Sequence, residues 1–216
     1  MKKFNFILLF FAYSFCLGQN KIDTTILYSE STIINGEKYF GYSKTNDTLY
    51  VENSKGKIIF KQESYYAFEF VDFNGDSLDD IVIHYMGNTP EVQDLYLFDF
   101  AKKNFVFVNN LSDFPAPIKI QGTKYYYSYH KSGCADMNWG SDLFYIDNFK
   151  TILIGNISGR QCNDRDKKDG VYISKISKQN KVLLQTLPTS ILAKYTDYKW
   201  GFIAEYWKKN YKKFIE

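Results

Sequence analysis

Arginine is almost absent from this sequence: only Arg160 and Arg165 stand among its 27 basic residues. Arginine is the side chain that most often reads phosphates and guanine edges, so its scarcity argues against a nucleic-acid partner. Histidine is equally scarce, and neither His84 nor His130 has the spacing to a cysteine that a zinc site requires. Beyond the N-terminus there is no long apolar segment, so we expect no transmembrane segment in the mature chain.

The N-terminus, residues 1–18, has the pattern of a cleaved secretory signal peptide. Lys2 and Lys3 supply its positive start, and residues 6–13 form an apolar run that is too short to anchor the chain in a bilayer. Cleavage would leave Gln19 as the first residue of an exported chain, either periplasmic or secreted. A buried N-terminal strand or helix is the alternative interpretation.

Residues 16–18, Cys-Leu-Gly, offer two processing routes. Small residues occupy the two positions that signal peptidase reads, which favours simple cleavage. A lipobox ending at Cys16 would instead make the protein a lipoprotein. Phe15 argues against that route, because the lipobox needs a small residue just before its cysteine.

Export changes the interpretation of the three cysteines. Cys16 leaves with the signal peptide, so Cys134 and Cys162 remain as an even pair in an oxidising compartment. Such a pair predicts one disulfide, and two free thiols are the alternative. In the chain-entropy model, closing the chain segment between these two cysteines stabilises the fold by about 3–4 kcal/mol.

The rest of the chain favours β-sheet. Aromatic residues make up 19% of the sequence, and they suit pleated, half-buried surfaces. Short β-type runs recur between turn signals, such as the expected hairpin turn at residues 53–56. We expect strands near residues 49–51, 58–60, 66–71, 81–83, 95–100, 105–108, 125–129, 143–146, 152–157, 171–176 and 182–185. The pattern predicts one all-β domain over residues 19–216, mainly antiparallel, built as a sandwich, an open barrel or a propeller-like array.

The C-terminal end has a different period. Thr196 and Asp197 are good N-cap residues, and apolar side chains then recur at helical spacing. We therefore expect an amphipathic α-helix over about residues 197–214. Its aromatic stripe can pack on the sheet, or it can meet a membrane surface or a partner, since aromatic residues opposite lysines also suit an anionic surface.

One short segment carries a pattern with defined chemistry. Asp72, Asn74, Asp76 and Asp80 occupy positions 1, 3, 5 and 9 of a loop between two expected strands. Calcium binds about six to eight oxygen atoms, and this spacing lets side-chain oxygens converge on one point. The carbonyl of Leu78 would add another ligand. We therefore predict one bound Ca²⁺ ion, with an ordinary solvated acidic turn as the alternative.

The loop differs from an EF-hand. The twelfth position is Ile83 rather than a bidentate glutamate, and the flanking residues favour strands rather than helices. Gly75 helps the backbone to turn, whereas Ser77 stands where such loops usually have glycine. Ser77 must then adopt a backbone conformation that glycine adopts freely.

Residues 70–83 resemble the calcium loop of FG-GAP and VCBS-type repeats, which occur in integrin-like propellers and in many secreted bacterial proteins. The resemblance implies calcium binding and says little about activity. Over residues 66–146 the layout also resembles small secreted bacterial β proteins with one such loop, some of which are regarded as periplasmic lysozyme inhibitors. Those inhibitors insert a Ser-Gly loop that ends in tyrosine. This chain has Ser132 and Gly133, and no tyrosine follows them closely.

We expect a non-catalytic binding module whose partner is a protein or glycan of the envelope or the extracellular space. Ser132, Gly133 and Trp139, beside the expected disulfide, are the candidates for a partner-binding loop, with Trp139 either an exposed anchor or a buried residue. A lysozyme inhibitor is one alternative function. A hydrolase of envelope polymers is the other, and it would need a convergent acidic pair in a cleft.

The N-terminus generates the first testable prediction. The mature protein isolated from its native host should begin at or near Gln19, because the processing pattern ends at Gly18. N-terminal mass analysis checks this. An intact Met1, or an acylated Cys16, would contradict it.

Overall fold

The computed structural model describes residues 26–44, 48–162, 168–178 and 180–215. The expected signal peptide at residues 1–18, with Cys16 and the new N-terminus at Gln19, lies outside the described residues. In the part of the chain that is described, no helix combines the length and the apolar character needed to cross a membrane.

The described chain forms fifteen strands and one α-helix. The first sheet contains β1 (Ile26–Ile34), β2 (Glu37–Lys44), β3 (Thr48–Glu52) and β4 (Ile58–Glu63). The second contains β5 (Ala67–Val71), β6 (Asp80–His84), β7 (Gln93–Asp99) and β8 (Asn104–Phe107). The third contains β9 (Ile118–Lys119), β10 (Tyr125–Tyr127), β11 (His130–Lys131), β12 (Trp139–Asp147), β13 (Lys150–Arg160), β14 (Gly170–Ser177) and β15 (Asn180–Leu187). Helix α1 (Lys199–Asn210) follows, and short 3-10 turns lie at Leu111–Asp113, Cys134–Asp136, Thr189–Lys194 and Tyr211–Phe214.

Neighbouring strands in all three sheets run antiparallel, which confirms the expected all-β fold with a C-terminal helix. The first two sheets are simple meanders in which each strand pairs with the next along the chain. In the third the order is β15-β14-β13-β12-β10-β9, and β11 also pairs with β12.

The three sheets and the helix are stacked in layers, and the central strands of the second sheet, β6 and β7, are buried on both faces. Ile81 and Ile83 on β6 pack with the first sheet, where Leu49 and Val51 belong to the same core cluster. Val82, between them, points to the opposite side and joins the cluster that contains Tyr126 and Phe144 of the third sheet. Alternation of side chains along a strand produces this division, because successive residues face opposite sides of a sheet.

The β1–β2 hairpin is an element that the sequence interpretation missed. Its turn is Asn35-Gly36, with φ of 48° and 78°. Asn-Gly between β-type runs is the strongest short signal for a two-residue hairpin, because both positions need positive φ. The signal for these two strands was therefore present in the sequence.

The C-terminal helix is shorter than expected. It begins at Lys199, and no side chain caps its N-terminus, so the expectation that Thr196 or Asp197 caps it is wrong. The reason is a sharp bend, since Asp197 and Tyr198 have positive φ of 63° and 57°. The bend brings the Thr196 carbonyl against Gly201, where any side chain would collide with it.

The aromatic stripe of the helix packs on the third sheet. Phe202, Trp207 and Phe214 are at most 1% exposed and share a core with Leu143 and Ile157. The stripe is therefore not available to a membrane surface.

Cys134 and Cys162 form the expected disulfide, with Cα atoms 6.3 Å apart. The bridge joins the turn after β11 to the segment that follows β13. The disulfide therefore holds the exposed turn after β11 against the third sheet.

The buried helix predicts a large effect of one substitution. Trp207→Ala should lower the free energy of unfolding by about 3–5 kcal/mol, the usual cost of truncating a buried aromatic residue. Its ring packs on Phe214, and its indole N–H donates a hydrogen bond of 2.8 Å to Ser141. Trp200→Ala is the matched control, because Trp200 lies on the same helix and is 51% exposed. Urea denaturation measures both, and equal losses would contradict the packing described here.

Candidate functional site

The loop between β5 and β6 is organised by its own side chains. The Asp72 carboxylate accepts hydrogen bonds from the backbone N–H groups of Gly75 at 2.7 Å, Asp76 at 2.9 Å and Ser77 at 3.0 Å. Asn74 Oδ1 accepts a second bond from the Asp76 N–H at 2.9 Å. Asp76 Oδ1 in turn accepts the N–H of Leu78 at 2.9 Å. The alternating polar residues thus close a tight loop, as their spacing predicts.

Two residues of this loop have left-handed backbone conformations. Gly75 has φ of 78° and Ser77 has φ of 69°. Serine does adopt the turn conformation that glycine would adopt without cost, as expected from the sequence. The extra hydrogen bond to Asp72 helps to hold Ser77 there.

Asp80 closes the loop from inside the protein. Its side chain is fully buried at the start of β6, where it accepts N–H groups of Phe98 at 2.9 Å and Phe73 at 3.1 Å. The pKa of this carboxyl is raised to about 7, chiefly by burial and also by the charge of Asp76, while the backbone hydrogen bonds oppose the rise. A cation beside Asp80 would favour its ionised form.

The loop also packs against the third sheet. Phe73 stacks on Tyr126 with ring centroids 5.1 Å apart, and the Tyr126 hydroxyl donates to the Phe73 carbonyl at 3.1 Å. The pKa of Tyr126 is raised first by burial and then by the negative charges of Asp80, Asp72 and Asp76. Lys119 on β9 donates a hydrogen bond to the Asn74 carbonyl. The loop is therefore a contact between two sheets as well as a turn.

The donor set fits calcium in its chemistry, because every group at Asp72, Asn74, Asp76 and Asp80 that could bind a metal is an oxygen. Within the described ranges, however, no three acidic, histidine or cysteine side chains lie close enough together to hold a metal ion. The carboxylates make hydrogen bonds to loop amides instead. Calcium at this loop therefore stays a prediction.

A cleft of about 540 Å³ lies beside the predicted partner-binding loop. Four segments form it: the β6–β7 connection, the residues that lead into β9, the strands β10 and β11 with the turn after them, and the start of α1. Its walls carry three aromatic rings and three carboxylates, which belong to Tyr127, Tyr129, Trp200, Glu91, Asp136 and Asp197.

Lys199 fixes one wall of this cleft. Its side chain is 7% exposed, and its ammonium lies 2.7 Å from Asp136 Oδ2. The same ammonium lies 4.7 Å from the ring centroid of Trp200 and 5.3 Å from that of Tyr129. Burial disfavours the charged Asp136 carboxylate, but hydrogen bonds from Lys199 and Tyr129 outweigh burial and hold its pKa below the usual value.

His130 faces the cleft with a partner that sequence spacing did not suggest. Its Nδ1 lies 3.6 Å from Asp142 Oδ2, on the neighbouring strand β12. Burial raises the pKa of Asp142, and the amide of Asn156 donates to its other oxygen at 2.7 Å. Gly140, paired with His130 across the two strands, leaves the room that the imidazole ring occupies.

The predicted partner-binding residues separate into two groups. Ser132 and Gly133 are exposed on the turn beside the cleft. Trp139 is fully buried, so the possibility that it is an exposed anchor is wrong. The reason is its place on β12 opposite Gly159, where the indole ring fills the space that a side chain would need. Trp200, which is 51% exposed at the cleft, is the accessible tryptophan instead.

The fold is similar to that of a solved Xanthomonas protein described as Type IV Secretion System related. The TM-score is 0.51 with 18% identity, and the match covers 73% of this chain and 93% of that one. At this identity the likeness shows the fold alone. No family model and no curated protein matches the sequence.

The loop generates a prediction about calcium. The melting temperature of the mature chain should be several degrees higher in millimolar calcium than in chelator. When the calcium concentration is a hundredfold above the dissociation constant of the site, binding stabilises the fold by about 2.7 kcal/mol. Asp76→Ala should abolish the difference, because it removes an expected ligand and its charge. Differential scanning calorimetry measures the shift.

Asp79→Ala is the matched control for that substitution. The Asp79 carboxylate accepts a hydrogen bond from Thr32 on β1, so its side chain is held by the first sheet. This variant should melt at a lower temperature in both conditions and keep the calcium difference. The calcium interpretation is wrong if calcium has no effect on the parent chain, or if both variants respond alike.

Proposed function

We propose that this chain is an exported, non-catalytic binding protein of the cell envelope or the extracellular space, and that its β5–β6 loop holds one calcium ion. The observation that carries the binding role is the open cleft of about 540 Å³ bordered by the disulfide-tied turn after β11. Concave sites with aromatic walls and a few polar groups are typical of ligand binding. The disulfide agrees with an oxidising compartment.

The solved protein of similar fold supports the same setting. It is described as related to a Type IV secretion system. We transfer from it only the association with a secretion system, which is compatible with an exported chain. The family resemblance of the β5–β6 loop supports calcium binding, with Asp72, Asn74, Asp76, Asp80 and the carbonyl of Leu78 as the ligands.

A hydrolase is the less favoured function, although the cleft carries carboxylates. Glycoside hydrolysis needs one carboxylic acid with a raised pKa as the proton donor. The pKa of Asp136 is lowered instead, because Lys199 and Tyr129 stabilise its charged form despite burial. Asp136 therefore suits a fixed structural charge better than a general acid.

Lysozyme inhibition is a second candidate, favoured by the shape of the turn after β11. Residues 131–135 are all exposed, and the four residues 133–136 have positive φ between 50° and 102°. The disulfide at Cys134 and the ion pair of Asp136 with Lys199 hold this strained turn in place. An exposed turn that is held in one conformation suits insertion into another protein's cleft.

The proposed function is tested with the mature chain, residues 19–216, and fractions of its host's envelope. A defined envelope component should co-purify with it at a fixed stoichiometry, and Trp200→Ala should weaken the complex because Trp200 lies at the cleft. Tyr66→Ala is the control, since Tyr66 is 64% exposed and does not border the cleft.

The same preparations are tested on purified peptidoglycan and in lysozyme assays. Release of soluble fragments by the chain itself would overturn the non-catalytic proposal. Inhibition of a lysozyme that Ser132→Trp abolishes would establish the second candidate. An absence of any envelope partner, with the chain located in the cytoplasm, would overturn the binding role.

A further inference from the structure

The cleft carries negative charge on two facing segments. Glu91 stands in the β6–β7 connection and Asp197 stands just before α1, and both residues are exposed. Among the described residues, neither carboxylate forms an ion pair. The third carboxylate, Asp136, is already neutralised by Lys199.

The basic groups near the cleft do not balance this charge. Lys131 is exposed at the border of the cleft, and Lys199 is committed to Asp136. Three carboxylates thus stand against two ammonium groups, and His130, which also lines the cleft, lies beside a carboxylate of its own, Asp142. A ligand that brings a positive charge would complete the balance, and its interaction would be strengthened where the walls exclude water.

The aromatic walls of the cleft also favour a positively charged ligand. The faces of tryptophan and tyrosine rings attract ammonium and guanidinium groups. Lys199 provides an example within the protein, since its ammonium lies against the rings of Trp200 and Tyr129 as well as the Asp136 carboxylate. Groups of the same two kinds, an aromatic ring and carboxylates, also line the cleft at Tyr127, Glu91 and Asp197.

We propose that this cleft binds a cationic peptide segment of a partner protein, with a lysine or arginine side chain held between Glu91, Asp197 and the ring of Trp200. This inference rests on the binding function proposed above and names the chemistry of the partner. A volume of about 540 Å³ is enough for one or two side chains. Unpaired carboxylates favour this occupant over a neutral sugar, which the aromatic rings alone would also accept.

Trp200 gives the experiment its signal. The chain has three tryptophans, and Trp139 and Trp207 are fully buried while Trp200 is 51% exposed. The probe is the acetylated, amidated peptide tetra-arginine, titrated into the mature chain. It should change the tryptophan fluorescence and protect Trp200 from acrylamide quenching. The affinity should fall as salt is raised, because ions screen exposed charges.

Three variants that change little in shape test the assignment. Glu91→Gln and Asp197→Asn should each weaken binding of tetra-arginine about tenfold, equivalent to about 1.4 kcal/mol. Glu205→Gln on the same helix should leave the affinity unchanged, because Glu205 pairs with Lys209 at an exposed position that does not line the cleft. Calorimetric titration gives the affinities, and thermal melts confirm that each variant is folded.

The outcomes separate this inference from the function on which it rests. Preferential binding of an N-acetylglucosamine tetramer, or equal affinity of all three variants for tetra-arginine, would overturn the cationic ligand. A dimer through the cleft, seen by sedimentation, would also overturn it, with a second copy as the occupant. If an envelope component still binds in a Trp200-dependent manner, the proposed binding function survives any of these results.

Discussion

Burial of the central strands of the second sheet, β6 and β7, on both faces is the constraint on which the other layers depend. Ile81 and Ile83 of β6 need the first sheet as a cover, and Val82 needs the third. None of these residues is more than 2% exposed. At about 25 cal/mol per Å² of apolar surface, a sheet covered on both sides stabilises the fold far more than one that faces water on one side. The same stacking places the β5–β6 loop, which enters β6 at Asp80, beside the third sheet.

Local sequence patterns predicted the strands and the helix in which the spacing of apolar residues alone shows which face is buried. The run around Ile81–Ile83 predicts a strand, the stripe that includes Trp207 predicts a packed helix, and Asn-Gly at positions 35–36 was an available hairpin signal. The disulfide was predicted because an even pair of cysteines is expected to be oxidised in an exported chain. The start of the helix was not predicted, because a bend at Asp197 decided it rather than the capping preference of that residue.

The cleft could not be predicted from local patterns, because its groups come from four separate segments of the chain. Asp136 lies on the turn after β11, and its ammonium partner is Lys199 on the terminal helix. Similarly, the carboxylate beside His130 is Asp142 on the next strand. Such pairs depend on strand register and on the docking of α1, which no short spacing in the sequence encodes. The buried place of Trp139 depends in the same way on Gly159 lying opposite it.

The β5–β6 loop and the cleft contact the same two strands. On β9, Lys119 donates to the loop carbonyl of Asn74, and its neighbour Ile118 lines the cleft. On β10, Tyr126 stacks on Phe73 of the loop, and the next residue, Tyr127, lines the cleft. Adjacent residues of a strand point to opposite faces. The β5–β6 loop therefore contacts one face of β9 and β10, and the cleft lies on their other face. A cation that orders the loop would therefore also restrict the motion of the strands that form one wall of the cleft. Calcium at the loop could then influence partner binding at the cleft without any contact between the two ligands.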